Sequence, residues 1–132
     1  MEIFNRATLK GFFKKGRVPT EVHFSNLIDS SVNKIDDGFA KTIENGLKLS
    51  PTGDSKKLLS FYDDIKEKNP LWEVEINPTE TSKGLSFTER VEGSRLFLRN
   101  GGQIGVGTMS PKHQLHVEGT VGMRTRVGTY QS

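Results

Sequence analysis

The sequence predicts a mainly β chain with one N-terminal amphipathic helix. Three observations lead there: apolar residues recur at spacings of three and four through residues 20–44, the period changes to two from Asn45, and glycine, asparagine and proline punctuate the alternating stretches. Four regions follow from these changes of pattern: a basic arm over 1–19, a helix within 20–44, a compact β module over 45–98 and a glycine-rich β stretch over 99–132.

Residues 1–20 carry five basic residues and one acidic one, against eleven and fourteen in 21–100 and three and one in 101–132, so the formal charge of +3 sits at the ends. The run Lys10-Gly11-Phe12-Phe13-Lys14-Lys15-Gly16-Arg17 is the one candidate for nucleic-acid binding. It lacks a longer stripe of charge with groove-fitting neighbours. A basic arm that docks on a protein through Phe4, Leu9, Phe12 and Phe13, flanked by Lys14 and Lys15, is the reading we adopt, and no nucleic-acid partner is expected.

Thr20 follows Pro19 as a helix cap, Glu21 suits the first turn, and Phe24, Leu27, Ile28, Val32, Ile35 and Phe39 recur at helical spacing. Gly38 offers a stop, while Asp36 and Asp37 oppose the macrodipole at that end. The steps from Ile28 through Val32 and Ile35 to Phe39 match a short coiled coil, and about two heptads fit equally a bundle of three copies or a helix packed on its own domain.

Asn45-Gly46-Leu47-Lys48-Leu49-Ser50-Pro51 reads as a turn, a short strand and a stop. Residues 56–68 fit a helix lined by Leu58, Leu59, Phe61, Tyr62 and Ile65 or a strand over 57–62; the strand is adopted because Leu71–Ile76 next to it alternates without fault. There Trp72, Val74 and Ile76 face one way and Glu73 and Glu75 the other. Strands at 84–87 and 95–98 follow, then Ile104/Val106 and Leu115/Val117 among glycines and Ser110-Pro111. Taken alone, this last pattern also fits an ordinary β-sandwich edge with glycine-rich hairpins.

Hydrophobic residues make up 33% of the 132 residues and mean hydropathy is −0.53, so one copy has a lean core and a partner is favoured. There is no cysteine, which excludes disulfides and thiolate metal sites. No apolar run approaches membrane-spanning length, and the amino terminus lacks the apolar core of a signal peptide, so synthesis in the cytoplasm without membrane insertion is expected.

Signals for chemistry are weak. Gly102–Thr108 lacks the Lys-Ser/Thr of a phosphate loop, and Ser110-Pro111 stands where a dinucleotide fingerprint needs its third glycine and a helix. His113 and His116 would point to opposite faces of a strand unless a turn intervenes, and His23 is remote. Glu73 and Glu75, with Asp63 and Asp64 upstream, read as a charged outer face, because no nucleophile has a base beside it. No catalytic residue, metal or cofactor is expected.

The stretch Gly102-Gln103-Ile104-Gly105-Val106-Gly107-Thr108-Met109-Ser110-Pro111, continuing through Leu115-His116-Val117-Glu118-Gly119 to Gly122, resembles the GxIGIGTxxPxxxLxVxG repeat of trimeric bacteriophage tail-fibre shafts and related fibres of contractile injection systems. The resemblance implies an elongated, intertwined, fibre-like homotrimeric β assembly; the lean core and short strands then put Ile104, Val106, Leu115, Val117 and Val121 at the interface between copies, and the coiled-coil spacing adds Ile28, Val32 and Ile35. It also implies baseplate or tail proteins as partners of the N-terminal region, a place in a virion or an extracellular phage-tail-like particle, and a role in host attachment. Longer relatives continue into a tip or a self-cleaving chaperone domain beyond the point matching Tyr130-Gln131-Ser132. A different function is a carbohydrate- or receptor-binding β module that uses Trp72 and Tyr62 on a host-surface glycan or receptor.

Overall fold

A computed structural model describes residues 3–124 and divides the chain into two units, Met1–Thr52 and Gly53–Ser132. It is mainly β, with two short helices. Residues 125–132 of the expected shaft lie outside the described residues.

In the first unit the basic arm is partly helical: α1 (Arg6–Phe12) is capped by Asn5, whose Oδ1 accepts the Thr8 N–H at 2.9 Å. α2 (Glu21–Asp29) begins as expected at Thr20, whose Oγ1 accepts the His23 N–H at 3.3 Å while His23 Nδ1 accepts the Thr20 N–H at 3.1 Å. It stops far short of residue 44. Ser30 Oγ and Ser31 Oγ donate back to the carbonyls of Asn26 and Leu27, and Asn33 Oδ1 accepts the N–H groups of Ile35 and Asp36, so local side-chain bonds replace the helical ladder. Phe39, expected on the helix, instead opens β1 (Phe39–Thr42), which pairs antiparallel with β2 (Gly46–Leu49) around the turn Ile43-Glu44-Asn45.

The second unit is one six-stranded sheet. β3 (Lys57–Phe61), β4 (Trp72–Ile76), β5 (Gly84–Glu89), β6 (Gly93–Arg99) and β7 (Ile104–Val106) form an antiparallel meander, and β8 (Leu115–Val117) lies parallel to β7 at the edge. The sheet runs unbroken through residues 98–99, where a compact module had been expected to give way to a shaft.

Register partners point to the same side of a sheet, which sorts the side chains. Leu59 lies opposite Val74 and Phe61 opposite Trp72; Val74 then meets Phe87, and Ile76 meets Leu85. Leu85 and Phe87 meet Leu98 and Leu96, which meet Ile104 and Val106, which meet Leu115 and Val117. One face is therefore apolar from β3 to β8. The other carries Lys57, Ser60, Glu73, Glu75, Ser86, Thr88, Ser94 and His116, with Phe97 as its large apolar side chain.

Candidate functional site

The stretch Ile104 to Val117 builds a parallel strand pair whose connection, residues 107–114, is shorter than the dozen or so residues such crossovers usually need. Gly107 makes this feasible by turning with φ 77°. The connection passes over the polar face: a Cβ on Gly105, the partner of Phe97, would collide with the Thr108 carbonyl oxygen. Ser82 Oγ donates to the Met109 carbonyl at 3.3 Å and ties the crossover to the β4–β5 connection, and Pro111 is buried. Beneath it Phe97 is 0% exposed, with small neighbours, Ser86 and Gly105, on either side. Ser86 Oγ lies 2.7 Å from Ser94 Oγ and 3.0 Å from Thr88 Oγ1, so the buried Ser86 hydroxyl is satisfied by its half-buried neighbours.

On the opposite side Ile104, Val106, Leu115 and Val117 form a contiguous strip. Leu115 is 63% exposed. Val121 is also exposed but lies beyond β8. Ile28, Val32 and Ile35 do not form the expected helical stripe, because Ile28 is on α2 while Val32 lies in irregular backbone and Ile35 in the turn that follows; all three are exposed.

The aromatic residues of the arm have partners within their own unit. Phe12 stacks on His23 with ring centroids 4.3 Å apart, Phe13 packs edge-on against Phe24 at 5.2 Å, and Phe4 packs against Phe12 at 5.6 Å. The Phe4 N–H donates to Ser30 Oγ, and Leu9 is half-buried, which leaves Lys14 and Lys15 as the exposed members of the expected docking set.

The titratable groups are scattered. Lys57 Nζ lies 2.8 Å from Glu73 Oε2 as an ion pair, and the Glu73 carboxylate beside it holds the Lys57 ammonium above the ordinary lysine value. A turn does bring His113 and His116 together, with centroids 6.1 Å apart, but His116 Nδ1 accepts the Lys112 N–H and Nε2 lies 3.0 Å from Glu118. Among the described residues no three His, Cys, Asp or Glu side chains converge on a metal position, and no helix is long and apolar enough to cross a membrane. A cavity of about 200 Å³ in the first unit is lined by Lys34, Ile35, Phe39, Lys48, Leu49 and Ser50 with backbone of the hairpin, and holds no carboxylate or imidazole. Gly102–Thr108 opens a crossover rather than a helix, so it lacks the dipole that holds phosphate.

Comparison with protein-family models, with curated proteins and with solved structures finds no match to this chain.

Proposed function

We propose that the chain is a structural fibre or fibre-attachment protein of a phage tail or phage-tail-like contractile injection particle, docked by its N-terminal region and projecting a homotrimeric β shaft. The supporting observation is the apolar strip of Ile104, Val106, Leu115 and Val117, in which Val106 and Leu115 are exposed and Ile104 and Val117 half-buried, on two parallel strands whose short crossover occupies the other face. Both strands are only three residues long, and the exposure of Val106 and Leu115 among the described residues suits the strip to further copies. The role is mechanical rather than enzymatic. In this reading Lys14 and Lys15, exposed beside the α1–α2 pair, meet the baseplate or tail, and the particle acts outside the cell that made it.

Gold labelling of a tagged chain on particles from producing cells tests this. Labels should cluster at the particle's periphery and be lost on Lys14→Glu/Lys15→Glu with the oligomer intact. Label absent from particles, or undiminished in the double variant, would refute docking through this region.

The second reading, glycan binding, is favoured by one feature: Phe61 and Trp72 are register partners with rings half-exposed on one face.

A further inference from the structure

The partly exposed strip on β7 and β8 is the end of something larger. The same face continues across β6, β5, β4 and β3, where Leu59, Phe61, Trp72, Ile76, Phe87 and Leu96 are 36–52% exposed. Only Val74 and Phe97 are buried hydrophobics among the described residues, and Phe97 belongs to the other face. The crossover thus covers the polar side at Phe97 and Gly105, while the apolar side stays partly exposed among the described residues, the reverse of a self-sufficient domain.

We infer that this whole face, Trp72 included, is buried against further copies of the chain as one intermolecular core. The inference deepens the trimeric reading above and rests on it. Three features select a copy of the same chain as the occupant. First, with large side chains of about 200 Å² each, the exposed fractions leave on the order of 700 Å² of apolar surface, above the largest patch of ordinary monomers and close to one partner's share of a standard interface. Second, charge on this face is confined to one corner, where Glu89 lies 2.7 Å from Arg95, so the centre offers nothing for a charged partner to register against. Third, a sheet with so little buried by itself needs its cover whenever it folds, and the partner supplied at matching amount is the chain itself.

Trp72 is the one tryptophan of the chain, so its emission reports on this face directly. Intrinsic fluorescence and acrylamide quenching of the wild-type full chain are read beside molar mass. The expected result is an oligomer with blue-shifted, quencher-protected emission that shifts red together with dissociation, and loss of the oligomer in Phe87→Asp as in Leu115→Asp. An oligomer in which Trp72 is fully quenchable, or in which Phe87→Asp keeps its mass while Leu115→Asp dissociates, would overturn the extended core and leave the shaft reading standing. Emission of an intact oligomer perturbed by oligosaccharide would likewise overturn it, in favour of glycan binding. A monodisperse monomer would end both readings.

Discussion

Gly105 has no room for a side chain, and its reason differs from that of its neighbours. Gly101, Gly102 and Gly107 turn the chain with positive φ, whereas Gly105 has strand geometry and is small because the crossover's Thr108 carbonyl lies against it. The abundance of glycine is plain in the sequence; which glycine serves a turn and which a close approach depends on where the crossover passes. Gly105→Ala should lower stability by about 1–3 kcal/mol through overpacking. Gly122→Ala, where an added Cβ meets nothing within 4 Å, should leave stability unchanged. Urea denaturation monitored by circular dichroism compares the two, and equal midpoints would contradict the packing described for Gly105.

For the elements, periodicity served the strands better than the helix. The alternation from Leu71 to Ile76 survives in β4 with Trp72, Val74 and Ile76 on one side, because a strand's side-chain period is fixed by its backbone. The helical spacing of Ile28, Val32, Ile35 and Phe39 runs past the helix that begins it, since Ser30, Ser31 and Asn33 bond nearby backbone where α2 ends at Asp29. The polar residues between apolar positions held that information. The arm is expected to turn its phenylalanines to another protein, yet α1 lays Phe12 and Phe13 on His23 and Phe24. A double-mutant cycle of Phe13→Leu and Phe24→Leu should therefore show a coupling of about 0.5–1.5 kcal/mol. Additive effects would mean the two rings do not act on each other.

For the whole molecule, the decisive property is the one-sided sheet. Its strands were legible from alternation and turn residues, but its apolar face was not, because six separate two- or three-residue patterns become one surface only when register aligns them. Covering roughly 700 Å² at about 25 cal/mol per Å² is worth on the order of 15–20 kcal/mol per chain before ordering costs, comparable with the entire net stability of a domain. Such a face decides whether the chain folds alone. Sedimentation equilibrium of the purified full chain tests this most directly: a single species at three times the 14.7 kDa chain mass is expected, whereas a folded, monodisperse species at 14.7 kDa would contradict it.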